Sequence, residues 1–441
     1  MEPELMSKLT VALETLGCKV NQYESSHFLD SIREAGWQAV SFRDRADVYI
    51  VHSCAVTSKA GFQTRQLLRR AQRINPEAKV ALIGCNAQLD ADRIADARLA
   101  THIIGNNEKF ELLRWLKEPG GFSDPFRILS DPRGYGELKP LPVTRMHSAR
   151  ARAFLKVQDG CDTFCSYCIV PYTRGRSRSL AADEVCRQME RFLTYGYREV
   201  VLTGIHLGQW GKDLPSPRDL FDLLTRLAEG PLPPRIRLSS LEPMEWSERI
   251  LGQLHSWPWI CPHFHVPLQS GDEEILKRMH RPYTPRRYAE VIEELHRLFP
   301  DAALGADVMV GFPGESDRHF RNTFELIESL PLTYLHVFPF SPRPGTLAAR
   351  WPQRATGGEL KRRAQALQAL GGRKREAFRN RFLGRRVEVL VETEVKPGWW
   401  QGTSHNYLQV RFSCAHLPAS GSIETVHLTR LTEKGLTGQA C

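Results

Sequence analysis

The stretch DGCDTFCSYC, residues 159–168, places Cys161, Cys165 and Cys168 in ten positions and supplies no fourth cysteine. A structural zinc takes four protein ligands, and a simple four-iron cluster takes four thiolates. Cys165 and Cys168 have the spacing of half a zinc site. Cys186 follows eighteen residues later, but Met189 stands where its partner would be, so no zinc pattern is completed. A set of inert buried thiols is the other bland reading, and a loop with Asp159, Gly160 and Asp162 suits an apolar core poorly. Three thiolates can instead hold a four-iron cube with one iron uncommitted, open to chelation by a small molecule.

The stretch directly follows RAFLKVQ, the first of six strand candidates within residues 150–340. The others are EVVLTGI, RIRLSSL, HFHVPLQ, ALGADVMVG and YLHVFPF, each followed by a loop and helical pattern. Six such units predict a partial parallel barrel with its functional loops at the carboxyl ends of the strands. Thr284 is expected to cap a helix that Pro285 opens, and a basic helix is expected over roughly 359–382. Upstream, LTVALE, DVYIVHS and KVALIG alternate with helical stretches and predict an open doubly wound α/β domain. Residues 118–142, dense in Gly and Pro, read as a linker. From about Leu383 short alternating strands replace helices, predicting a small all-β, OB-like barrel. The fold class is thus α/β with a terminal β domain, divided as 1–145, 146–382 and 383–441.

At 441 residues the chain exceeds one core. Its first residues lack a basic and apolar export pattern, and no apolar run approaches a membrane span. A cytoplasmic protein without a membrane partner is expected, and its ten cysteines are expected as thiols or metal ligands rather than disulfides. The net charge of +10 is concentrated: residues 343–386 hold thirteen Lys or Arg against Glu359 and Glu376. A solvated helix face is the bland explanation, and a polyanion partner the functional one.

Three more cysteines share a setting. Cys18 ends LETLGC, Cys54 ends YIVHSC and Cys85 ends ALIGC. Each follows an apolar strand, at the edge where a doubly wound sheet gathers its binding loops. Adjacent parallel strands would bring the three thiols together as a second metal site. Three incidental small buried residues are the alternative.

The C-x3-C-x-aromatic-C spacing, with Tyr167 in the aromatic place, resembles the radical-SAM superfamily. The motifs TLGCKVNQYES, HSCAVTSKA, GCNAQ, DGCDTFCSYCIVPYTRGRSRS, LTGIHLGQWG, VPLQSGDEEILKRMHRPYT, ADVMVGFPGES and FSPRPGTLAA follow the order seen in radical-SAM methylthiotransferases. GWWQGTSHNYLQVRF and LTEKGLTGQ resemble their RNA-associated TRAM domain. TLGCKVNQYES is similar to the branch that acts on threonylcarbamoyladenosine in tRNA, whereas the isopentenyladenosine branch has Gln-Met-Asn after that cysteine. His52 departs from the Asn usual in the family.

The resemblance implies two 4Fe–4S clusters and S-adenosylmethionine. Cys161, Cys165 and Cys168 would bind the cluster that cleaves the cofactor, and Cys18, Cys54 and Cys85 the one that holds the transferred sulfur. One S-adenosylmethionine would methylate that sulfur; another would yield the radical that removes hydrogen from C2 of the adenine. That C–H bond offers no acidic proton to a base. Partners implied are tRNA, an electron donor and a sulfur source. A non-catalytic, metal-stabilised RNA-binding module is the rival from another class.

The resemblance, together with position along the chain, implies further candidates. Gly204, Ser239, Ser240, Glu242 and Gly311 are expected at the cofactor; tight turns, helix caps or solvent exposure explain them otherwise. Arg174, Arg176 and Arg178 would share one side of an extended segment and meet RNA phosphates, against surface salt bridges as the plain alternative. Lys361 to Arg363, and Arg373, Lys374 and Arg375, suit contact with an RNA backbone. Trp399, Trp400 and Tyr407 would stack on bases or, more simply, form the terminal core.

Overall fold

The computed structural model describes residues 9–141, 151–352, 355–433 and 435–441; the expected boundary at 145/146 lies outside them. Two compact units are present, and neither is continuous along the chain. The first comprises Met1–His147, Asp159–Arg178 and Ser341–Ala349. The second comprises Ser148–Gln158, Ser179–Phe340 and Arg350–Cys441.

The first unit is built on a parallel sheet of β1 (Thr10–Thr15), β2 (Gln38–Val40), β3 (Val48–Ser53), β4 (Lys79–Gly84), β5 (His102–Ile104) and β6 (Phe126–Ile128). Their order is β2-β1-β3-β4-β5-β6. Helices α1 (Lys19–Glu34), α2 (Ser58–Ile74) and α3 (Cys85–Asp96) follow β1, β3 and β4. The apolar run of β3 is buried along its whole length. Alternation along the strand divides it: Tyr49 and Val51 pack with Leu68 and Ala71 of α2, while Val48 and Ile50 pack with Phe28 and Ile32 of α1. Thr57 caps α2 by accepting from Ala60 N. β1, β3 and β4 are neighbours, so Cys18, Cys54 and Cys85 all emerge at one sheet edge.

The segment read as a linker is corrected in part. Phe126–Ile128, within it, pairs with β5 as the sixth strand. Three residues are too few to show an alternating pattern, and the strand exists because β5 supplies an edge.

In the second unit β7 (Ala153–Lys156), β8 (Glu199–Thr203) and β9 (Arg235–Leu238) form one parallel sheet. β10 (His263–His265), β11 (Ala303–Val310) and β12 (Tyr334–Pro339) form another, and a parallel bridge joins Ile236 to Ile260 beside them. These are the six expected strands of a partial barrel. Thr284 accepts from Arg287 N and Pro285 opens its helix, as expected. The basic helix α4 spans Gly357–Asn380, opened by a capping box between Thr356 and Glu359. Strands β13 (Arg386–Lys396), β14 (Trp399–Ser404), β15 (Gln409–Ser413), β16 (Ile423–Thr432) and β17 (Gly435–Ala440) close into a five-stranded barrel. Phe378 and Phe382 pack into its core. Trp400 and Tyr407 pack there too, and Tyr407 stacks on His263 at 3.9 Å.

A buried carboxylate organises this unit. Glu199 meets Arg237 at 2.9 Å, Arg152 at 3.6 Å and Arg235 at 3.9 Å. Arg237 continues to the carbonyls of Ser404 and His405. Burial opposes the charge of Glu199, but the three guanidiniums hold its carboxyl below the ordinary range. Its stabilising contribution is therefore full above the unfolded value and is lost as pH falls through the depressed folded one. Glu199→Gln should cost about 3–5 kcal/mol at neutral pH and remove this acid-dependent component; urea denaturation of both proteins from pH 7 downward reads both effects.

Candidate active site

The second cysteine set converges as the strand order requires. Gly17 has φ of +102°, and a Cβ there would lie 2.5 Å from Cys54 Cβ, so the chain entering Cys18 rests on Cys54. Asn106 Nδ2 donates to Cys85 Sγ at 3.5 Å, and Cys18 Sγ lies 3.8 Å from Asn21 Oδ1. Burial pushes the Cys54 thiol up to about 12, with Cys85 and Cys18 raising it further. Three neighbouring thiols that meet amide groups are a soft donor set that a metal deprotonates on binding. They fit an iron–sulfur cube.

The loop of Cys161, Cys165 and Cys168 belongs to the same unit. Gly160 has φ of +76°, and a Cβ there would clash with the Arg176 carbonyl at 1.9 Å. Cys161 N donates to Gly175 O at 3.1 Å, and Cys168 N to Cys165 O at 2.9 Å, folding the loop on itself. Thr163 N reaches Cys161 Sγ at 3.5 Å, a backbone donor suited to a thiolate. This set also fits a cube with one iron uncommitted.

One side chain connects the two sets. Arg174 is 2% exposed and bonds Asp159 at 2.9 Å, Asn21 Oδ1 at 2.7 Å and Glu24 at 3.3 Å. Glu24 also takes Lys109 Nζ at 2.7 Å, and Lys109 reaches Asn106 Oδ1 at 2.9 Å. Asn21 Nδ2 donates to the carbonyls of Leu16 and Ser53, and Asn106 Nδ2 to that of Thr173. Burial opposes the Arg174 charge, but Asp159 and Glu24 keep its pKa well above the ordinary value.

Known proteins are similar to this sequence along nearly the whole chain. The radical SAM superfamily model matches residues 155–327, and the model of the uncharacterized protein family UPF0004 matches 10–105. The threonylcarbamoyladenosine tRNA methylthiotransferase MtaB of Aquifex aeolicus (strain VF5) is 36% identical, over 88% of this chain and 93% of that protein. The MtaB of Thermotoga maritima is 33% identical, over 97% of this chain and 96% of that protein. This chain belongs to the radical-SAM methylthiotransferase family. In fold it is similar to the radical S-adenosylmethionine methyltransferase TsrM of Kitasatospora setae, with a TM-score of 0.56 at 15% identity, over 78% of this chain and 77% of that one. S-adenosylmethionine and 4Fe–4S clusters are the cofactors of this methylthiotransferase.

The remaining expected residues fare unevenly. Tyr167 is half-buried. Ser239 is buried at the end of β9, and among the described residues its hydroxyl has no hydrogen-bond partner, a site that fits a ligand. Ser240 is exposed. Glu242 is engaged by Arg281 and caps the following turn, so its carboxylate already has a protein role. Gly204 lies against Gln158, and Gly311 against Leu360 with φ of +73°; close packing accounts for both glycines.

The arginine reading is corrected. Arg174 is internal and paired, so it does not meet phosphates, and Arg178 is largely covered beside Asp159 and the Gly136 carbonyl. Only Arg176 faces solvent, 74% exposed. The helix Val170–Arg174 breaks the extended run on which the shared side rested. Lys374 is spent on the carbonyls of Glu328 and Leu330, and Arg363 is buried on Glu315 and Asp317. Arg373 and Arg375 are exposed.

Sequence reasoning missed Asn21, Glu24, Lys109 and Asn106, whose polar types in helical or loop settings carry no spacing signal. It also passed over His265, Asp307 and His336, where alternate polar positions in otherwise apolar strands were available as a sign. Burial opposes the Asp307 charge, but hydrogen bonds from the two histidines hold its carboxyl well below the ordinary range. Asn106→Leu removes the amide donor to Cys85; the holoprotein should lose about 10–100-fold in iron affinity, read by anaerobic competition with a chelator.

Proposed function

We propose that this protein is a tRNA methylthiotransferase that installs a methylthio group on C2 of N6-threonylcarbamoyladenosine beside the anticodon. The gathering of both cysteine sets in one unit through Arg174 carries this reading. Substrate choice draws support from relatives whose names specify threonylcarbamoyladenosine. When bound, the cluster on Cys161, Cys165 and Cys168 supplies the electron that cleaves S-adenosylmethionine, and that on Cys18, Cys54 and Cys85 supplies sulfur.

The chain's own task is then positioning. Asn106 and the Thr163 amide stabilise thiolate charge, and Arg174 offsets it near Cys18 and Cys85. The Ser239 hydroxyl is a donor for the polar end of S-adenosylmethionine. Exposed Arg176, Arg373 and Arg375 meet the tRNA backbone. An electron donor and a sulfur source complete the system.

Cells lacking the gene should lose 2-methylthio-threonylcarbamoyladenosine and accumulate its unthiolated precursor in nucleoside mass spectrometry of bulk tRNA. Loss of the isopentenyl counterpart instead would overturn the substrate. Purified Cys161→Ala should no longer cleave S-adenosylmethionine reductively; Cys85→Ala should retain cleavage and form no methylthio product. Replacing Arg373 and Arg375 by Ala should weaken tRNA binding irrespective of its sequence and lower the salt slope by about 2, measured by anisotropy across a salt series.

A further inference from the structure

Arg343 has no part in the chemistry described so far, and it is the exception among the buried arginines. Arg174, Arg235, Arg237, Arg281 and Arg363 are each buried, and each has a carboxylate partner. Arg343 is only 6% exposed. Among the described residues no carboxylate oxygen lies within ion-pair distance of it, and its Nε has no hydrogen-bond partner. Burial pushes its pKa below the ordinary value; Asp90 and Cys54 oppose that shift, and Arg65 adds to it. A buried guanidinium left without an anion is costly unless something else supplies one.

Its place in the chain says what that something is. The segment Ser341–Ala349 belongs to the first unit and is fastened at two points. Ser341 Oγ accepts from Ser58 N at 2.9 Å and lies 2.9 Å from Ser58 Oγ, at the start of α2 just beyond Cys54. Ala348 N donates to the Ser166 carbonyl at 2.8 Å, between Cys165 and Cys168. The segment therefore runs from the edge of one cysteine set to the loop of the other, and Arg343 lies on it within the influence of Cys54. A nucleotide that reacts with both sets has to come to this span. The planar, five-donor guanidinium matches a carboxylate or phosphate in two-point geometry.

We propose that Arg343 binds an oxyanion of the substrate nucleotide, either the carboxylate carried on its N6 group or the phosphate of the same nucleotide. This rests on the function proposed above. The test uses reconstituted full-length holoenzyme, wild type and Arg343→Gln, with two anticodon stem-loops that differ only in threonylcarbamoyladenosine or plain adenosine at the target. Affinity by fluorescence anisotropy should fall about 10–100-fold in the variant. A loss confined to the modified RNA assigns the carboxylate; an equal loss on both, with the salt slope lower by about 1, assigns the phosphate.

Unchanged affinity for both RNAs would overturn the proposal. So would a fall in bound iron and sulfide without a fall in affinity, which would put Arg343 on the cluster instead. If Arg343→Gln does not fold, Arg343→Lys keeps the charge without the fork and should still bind the affected RNA about 10-fold more weakly; wild-type affinity in that variant overturns the proposal. A wild-type enzyme that binds RNA yet makes no methylthio product from threonylcarbamoyladenosine would instead sink the proposed function, while the affinities still decide Arg343.

Discussion

The first unit depends on the burial of the Arg174 guanidinium between Asp159 and Glu24. Lys109 adds a second cation on Glu24, so two carboxylates and two cations are buried together. Removing any one partner strands a charge in a poorly polarisable interior, and this penalty holds the arrangement together more than the strength of a single bond. The residues come from α1, the loop after β5, and the segment bearing the Cys161 loop. Their mutual satisfaction fixes where Cys18, Cys85 and Cys161 lie relative to one another. Asn21 and Asn106 extend the same network to the Leu16, Ser53 and Thr173 carbonyls.

Backbone shape supplies what charge does not. Gly17 and Gly160 both precede a cysteine, both have positive φ, and both leave no room for a Cβ. Each lets the chain turn sharply into a metal loop while another strand of the loop passes at contact distance. Burial then pushes the Cys54 thiol up to about 12, so in the metal-free protein it stays protonated. A soft metal displaces that proton and converts mutual repulsion among thiolates into shared ligation.

The arginines show how far charge patterning reads without coordinates. Arg174, Arg176 and Arg178 look equivalent in sequence, yet one is a buried structural cation, one faces water and one is mostly covered. Within the basic run of α4, Arg363 and Lys374 are consumed by Glu315 and by carbonyls of Glu328 and Leu330. A formal charge count records none of this, because partners far apart in the chain decide whether a cation is available to a polyanion. Arg235 and Arg237 make the same point: RIRL reads as an ordinary strand, and the arginines are internal because Glu199 sits on the adjacent strand.

The sequence by itself determined the element types, the six-strand repeat, the small all-β character of the terminal domain and both candidate cysteine sets. Those features depend on local period, short ligand spacing and turn chemistry, all confined to a few consecutive residues. Short strands such as Phe126–Ile128 were not legible, since pairing partners rather than pattern make them strands. The tertiary structure alone decided that the Cys161 loop and Ser341–Ala349 pack with the first unit, that Arg174 is internal, and that Arg343 is buried with no carboxylate partner among the described residues. These are long-range matters of which charge meets which, and desolvation gives them their energy.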